Sequence, residues 1–273
     1  MQNALRFSLR CRSLRLCASA VDFFSIALSD AVSKRVDGQA AWVLHLHPYS
    51  ETSLVVDVFT RDHGRVPLLA RGARRPRSAM RGLLMSFQPL ELGWFGGGEV
   101  KTLARAEWLG GMPLLGGRCL LLGYYLNELL LKLLPREDAH AALFDAYAAA
   151  LGALAAGSDD APELRRFEKT LLKELGYGLT LDVEMETGLP VVAEREYTYL
   201  IERGPVQKVG AGDTAPDAVP GLRGKTLLDM AADDYADSRT RIESRQLMRQ
   251  LIAHHMGGKP LQSRRVFIEL QEL

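Results

Sequence analysis

Ala40–Ser50 reads AAWVLHLHPYS, and the parity of its side chains decides how the first third of the chain folds. Trp42, Leu44 and Leu46 alternate with His45 and His47, the period of two that marks a half-buried strand. Outward from this stretch the pattern recurs in SLVVDVFT (Ser53–Thr60), in RVPLLARG (Arg65–Gly72) after the turn RDHG, in LLMSFQPLELGWF (Leu83–Phe95), and in EVKTLARAEWLG (Glu99–Gly110) after a glycine turn at Gly96–Gly98. Five short strands with tight turns and no helical run predict a small closed barrel of the OB-fold kind.

From Pro113 the period becomes helical. LLGGRCLLLGYYLNELLLKLLPRED, HAALFDAYAAALGALAAG and PELRRFEKTLLKELG space their apolar residues by three and four. GSDDAP (157–162) reads as a stop and a start, with Asp159 or Asp160 as cap and Pro162 in the first turn. Residues 177–220 read as an irregular, partly β insertion with a hairpin in YTYLIERGPVQKV, and helices resume near Lys225, at Arg239–His255 and at Leu261–Leu270. The expected class is α+β: residues 1–35 an Arg- and Ser-rich extension or over-long start outside the fold, 36–112 the barrel, 113–273 a mainly helical domain.

Composition narrows the function classes. An apolar fraction of 47% in 273 residues suffices for a sizeable core. The longest apolar runs, Leu120–Leu126 and Leu129–Leu134, are interrupted by Asn127 and Glu128, short of the roughly 18 residues of a membrane span. Three cysteines, Cys11, Cys17 and Cys119, point to a reducing, cytoplasmic setting. The net charge of +1 conceals a split: residues 1–110 carry 15 Lys and Arg against 9 Asp and Glu, and the remainder 19 against 24. A basic front half predicts an anionic partner.

That charge is concentrated in LLARGARRPRSAMRG (Leu68–Gly82), where Arg71, Arg74, Arg75, Arg77 and Arg81 have no acidic neighbour. Arginines spaced irregularly in a Gly, Pro and Ser loop form no helical ion-pair ladder, so their natural partner is external phosphate. Lys101 and Arg105, four apart, are expected on one strand face beside them. An OB-like barrel with a positive groove suits single-stranded nucleic acid; Trp94, Phe95 and Phe87 are candidates for stacking, although an aromatic on a strand is more often core. The same arginines would serve an RNA-binding barrel of ribosome assembly or translation.

Other motifs weigh less. GLRGKTLL (Gly221–Leu228) lacks the first glycine of a P-loop, Val219 standing in its place, and no buried strand is expected before it. His45 with His47 and His254 with His255 lack further ligands at matching spacing, and the second pair suits a helix C-terminus, so no metal and no cofactor is expected. Glu184 with Glu186 and Asp233 with Asp234 read as solvated pairs, and no catalytic constellation emerges. The apolar stretch Leu120–Leu134 reads as bundle core, or as a groove for a partner's tail with Arg118 or Lys132 meeting a carboxylate.

In order and detail the chain resembles the bacterial recombination mediator family RecO. The matching stretches are Val43–Val66, Ala70–Trp94, Gly98–Glu107, Tyr124–Asp138, Leu143–Tyr147, Arg166–Leu179 and Gly257–Phe267, above all ARGARRPRS and GGKPLQSR. The resemblance implies a DNA-binding OB-fold and a helical domain, annealing of complementary strands, and help in loading RecA onto single strands coated by single-strand-binding protein. Implied partners are single-stranded and also double-stranded DNA, RecR and the acidic tail of single-strand-binding protein, for a monomer acting at the nucleoid. It carries DNA contact to Arg71, Arg74, Arg75, Arg77, Arg81, Lys101 and Arg105, with Lys259, Arg264 and Arg265 a second basic patch that otherwise orients the last helix. Many members hold zinc with four cysteines after the GYGL segment. Here Glu184 and Thr187 stand where the first pair would fall, which places the chain with a zinc-less proteobacterial branch.

Overall fold

The computed structural model describes residues 35–157, 160–207 and 218–271; the N-terminal extension and the Asp159 cap lie outside them. Strands β1 (Val36–Pro48), β2 (Leu54–Thr60), β3 (Gly64–Ala70), β4 (Pro89–Phe95) and β5 (Lys101–Trp108) close into a barrel in the order β1-β2-β3-β5-β4. All neighbours are antiparallel except β3 and β5, where Leu68 pairs with Lys101. This is the OB-fold arrangement. A one-turn helix α1 (Met80–Leu83) lies between β3 and β4.

Strand β1 corrects the simple alternation. A register shift between Val43 and His45 makes Leu44 a bulge. Ahead of it, Ala41 and Val43 point into the barrel core, while Trp42 and Leu44 point outward into the helical half. Past it the parity is reversed, and Leu46 packs with the barrel interior. Trp42, Leu44 and Leu46 therefore do not share a face.

The helical half begins with α2 (Gly117–Leu133), α3 (Ala141–Ala155) and α4 (Asp160–Glu174). Trp42, Leu44, Phe59 and Phe87 from the barrel share one buried cluster with Leu126, Leu130, Tyr147 and Phe167 from these helices, so the two halves are packed rather than merely linked. Asn127, 2% exposed, donates to the carbonyl of the bulged Leu44 at 2.9 Å and accepts from the Tyr147 hydroxyl. Gly64 shows why the β2–β3 turn needs glycine: its φ is +62°, and a Cβ there would lie 1.8 Å from the Asp138 carbonyl oxygen.

A three-stranded antiparallel sheet follows, ordered β7-β6-β8, from β6 (Glu196–Leu200), β7 (Gly204–Gln207) and β8 (Ala218–Arg223). The β6–β7 hairpin is the expected one; β8 is an addition. Tyr197, Tyr199, Val219 and Leu222 pack on α5 (Gly224–Ala231) and α6 (Ser238–His255) through Leu227, Met230, Leu247 and Leu251. The last helix, α7 (Gln262–Gln271), lies against α2. Among the described residues no helix is long and apolar enough to cross a membrane.

Candidate nucleic-acid interface

The arginine loop is a fixed structure. Ala73, fully buried, and Leu84 are plugs in the barrel core, with Met80 packed beside them, and they pin both ends of the loop. Between the plugs the backbone turns through Arg75 N–H to Gly72 carbonyl (3.1 Å), Ser78 N–H to Arg75 carbonyl (3.0 Å) and Arg81 N–H to Ser78 carbonyl (3.2 Å). Gly72 takes φ +70°, and the Arg75 side chain folds over it. Arg71, Arg74, Arg75, Arg77 and Arg81 are all exposed. Among the described residues no carboxylate lies within ion-pair distance of any of the five.

The pairing of Leu54 with Ala70 brings this loop to the β1–β2 turn. There the Arg74 N–H donates to the Thr52 carbonyl (3.0 Å), and its Nη1 to the Ser50 carbonyl (2.6 Å). That turn, to which Arg74 is bonded, carries Tyr49, a flat aromatic 68% exposed. Sequence reading missed Tyr49, although its place in the first inter-strand turn of a barrel was the available signal. Of the three aromatics considered for stacking, two take the core place that is more usual for a strand aromatic. Trp94 and Phe87 are core residues, each 3% exposed, and Phe87 wedges against Tyr124 and over Gly123, where a Cβ would meet its ring at 3.0 Å. Only Phe95 is open to solvent.

Lys101 and Arg105 do not share a face. Trp94 pairs with Leu103 but Gly93 with Arg105, so Ala104 is an extra residue that flips the parity of β5. Lys101 turns inward, 9% exposed, to Glu137, in a recess also lined by Asp62, His63 and Trp94. Arg105 is exposed but bonded to Glu107, through Nε at 2.9 Å, which raises its pKa. Neither is a free cation beside the loop.

Of the second patch, Lys259, Arg264 and Arg265 are exposed, but the segment around them is a docking device. Glu128 on α2 caps α7, accepting from the Gln262 and Ser263 N–H groups, both at 2.8 Å, and from the Ser263 hydroxyl at 2.7 Å. Lys132 is occupied by Glu128 and the Pro260 carbonyl. Arg264 in turn faces Arg245 and Arg249 of α6, and burial together with these two cations lowers its pKa. Arg245 and Arg249 are exposed, and sequence reading missed both.

The remaining motifs resolve structurally. A strand, β8, does precede Gly-Lys-Thr, contrary to expectation, yet the helix end behind it is not open to phosphate. Arg223 N–H donates to Glu243, Gly224 N–H to the Arg195 carbonyl and Lys225 N–H to the Ala193 carbonyl. Lys225 itself grips Asp229, and Thr226 bonds Glu243. Glu184 is not a solvated carboxylate. It is 5% exposed and accepts from the Gln207 N–H (3.0 Å) and the Thr187 hydroxyl (2.8 Å), which hold its pKa below the usual range. Asp233 pairs with Lys169 at 2.5 Å. A zinc module at Glu184 and Thr187 does not fit these residues: both carboxylate oxygens are engaged in joining the 184–189 turn to β7, and Cys119, the one cysteine among the described residues, lies on α2.

Comparison with known proteins agrees with this architecture. The model of the Recombination protein O N-terminal domain matches residues 38–112, and that of its C-terminal domain residues 118–265. The DNA repair protein RecO of Aromatoleum aromaticum is 60% identical over 240 residues, covering 88% of this chain and 98% of its own. That of an Azoarcus species is 57% identical over 243 residues, covering 89% and 100%. That of Dechloromonas aromatica is 57% identical over 242 residues, covering 88% and 98%. With both domain models matched in order and relatives aligned over almost their full length, the chain belongs to the RecO family.

Proposed function

We propose that the protein is a non-enzymatic mediator of DNA repair and recombination that binds single-stranded DNA through the arginine loop and the Tyr49 turn. The observation that carries this reading is five exposed arginines, without a carboxylate partner among the described residues, in a loop that buried plugs fix and that Arg74 ties to the turn bearing an exposed aromatic ring. Arginine supplies the phosphate contacts and the ring a sequence-tolerant stacking surface. Because phosphate contacts carry no base information, two complementary strands held this way remain free to find their register and anneal.

Membership of the family supports the finer roles: annealing of strands coated with single-strand-binding protein, work with RecR, and help in loading RecA. For the acidic tail of single-strand-binding protein, the converging Arg245, Arg249 and Arg264 offer a better receptor than Lys132, which is already paired. The experiment is annealing of two complementary oligonucleotides precoated with the cognate single-strand-binding protein, comparing the wild type with an Arg74→Ala, Arg75→Ala, Arg77→Ala variant. Acceleration by the wild type and its loss in the variant is the expected result. Equal rates for the two proteins would remove the loop from the mechanism.

A further inference from the structure

The tight β6–β7 turn and the C-terminal end of α6 place three metal-ligating side chains together. The donor atoms of Glu202, His254 and His255 all lie within 4.8 Å of one another. Glu202 holds a left-handed backbone conformation, φ +66°, at the tip of the hairpin, and its carboxylate stands 3.5 Å from His254 Nε2. Two ligands about 2.1 Å from a tetrahedral zinc are about 3.4 Å apart, so this separation is already that of a coordination edge.

Two further features favour an ion over a simple histidine–carboxylate pair. The Tyr177 ring stacks on His255 with centroids 3.9 Å apart and planes at 21°, fixing the second imidazole independently of the ion pair. Glu202 and His255 also border a cleft of about 340 Å³ lined by Gly176, Thr180 and Arg203, which leaves a fourth position open to solvent or a small anion.

We propose that Glu202, His254 and His255 form a site for a zinc-type divalent ion, distinct from the Glu184 turn and from the DNA interface. Two imidazoles and a carboxylate are a donor set for borderline metals such as Zn²⁺ or Co²⁺, not for Mg²⁺ or Ca²⁺. The ion clasps the β6–β7 hairpin to α6, joining elements far apart in the chain.

The test is titration of the untagged, metal-stripped protein with Zn²⁺ by calorimetry and with Co²⁺ by visible absorption. One equivalent bound, with the d–d bands of a four- or five-coordinate Co²⁺ site, is the expected outcome. Glu202→Gln and His254→Gln, both at solvent-accessible positions, are expected to weaken binding by roughly 100-fold, and Tyr177→Leu by about 10-fold. A His45→Gln, His47→Gln variant, which removes the other histidine pair, is expected to bind as the wild type does. Absence of binding, binding unchanged by Glu202→Gln and His254→Gln in proteins of native circular dichroism, or loss of binding with the His45 and His47 pair would each overturn the assignment.

Discussion

Arg74 Nη1 donates to the Ser50 carbonyl at 2.6 Å, so the most basic loop of the barrel and the turn that presents Tyr49 move as one unit. The two contacts are still separable by substitution, because the Tyr49 ring is uncharged and the arginines are not. Tyr49→Ala is expected to weaken binding to an oligo(dT) strand about 5- to 150-fold, from the roughly 1–3 kcal/mol that a base–aromatic stack contributes. Tyr49→Phe keeps the ring and is expected to bind normally. Fluorescence anisotropy across a salt series distinguishes the two kinds of contact: Tyr49→Ala leaves the slope of log K against log salt unchanged.

The arginine variant is expected to behave in the opposite way. Each phosphate contact on a single strand contributes a slope of about −0.7, so replacing Arg74, Arg75 and Arg77 lowers the slope magnitude by about 2. An unchanged slope in a folded triple variant would show that other cations neutralise the backbone.

Lys101 and Arg105 supply an internal control that the β5 bulge makes possible. Lys101→Met removes a nearly buried cation from Glu137, and its consequence is expected in the melting temperature and not in the salt slope. If instead the slope falls by a full contact with stability intact, Lys101 reaches DNA by leaving Glu137.

The particular residues explain what sequence shows and what it hides. Barrel strands and helices were legible because each buries one face, so period two and period 3.6 survive in the apolar pattern. The bulges at Leu44 and Ala104 were not, because an inserted residue leaves composition unchanged while reversing which side chains point inward. The arginines were legible through charge density alone; whether a cation is free depends on acids distant in sequence, Glu137 for Lys101. Asn127 and Glu128 looked like mere interruptions of an apolar run. In the folded chain one holds the Leu44 bulge and the other caps α7.

That second role is testable. Glu128 receives four donors, three from the first two residues of α7 and one from Lys132. Burial alone would raise its pKa, but Lys132 and Ser263 outweigh that and hold it low. Glu128→Ala removes the cap from α7, and amide exchange of residues 262–266 is expected to accelerate at least 10-fold while exchange in the barrel strands is unchanged. A global increase would instead mean that α7 docking supports the whole fold.

Glu243 provides the pH dependence. Its carboxylate, 7% exposed, accepts from the Thr226 hydroxyl at 2.5 Å, the Arg223 N–H at 3.0 Å and Arg239 Nε at 2.6 Å, closing the start of α5 onto α6. Burial pushes its pKa up, yet these donors prevail and leave it below the ordinary glutamate value of 4.5. A carboxylate with a depressed folded pKa stabilises fully above its unfolded pKa, and that contribution fades as pH falls through the folded value. Glu243→Ala strands the Arg223 N–H, the Thr226 hydroxyl and the Arg239 guanidinium, so its expected cost at pH 7 is about 3 kcal/mol. In denaturant titrations the difference between wild type and variant is expected to be constant from pH 6 to 8. It then shrinks below about pH 4.5, where the wild-type carboxylate takes up its proton. A difference that is equally large at pH 3 would show that Glu243 acts through packing and not through its charge.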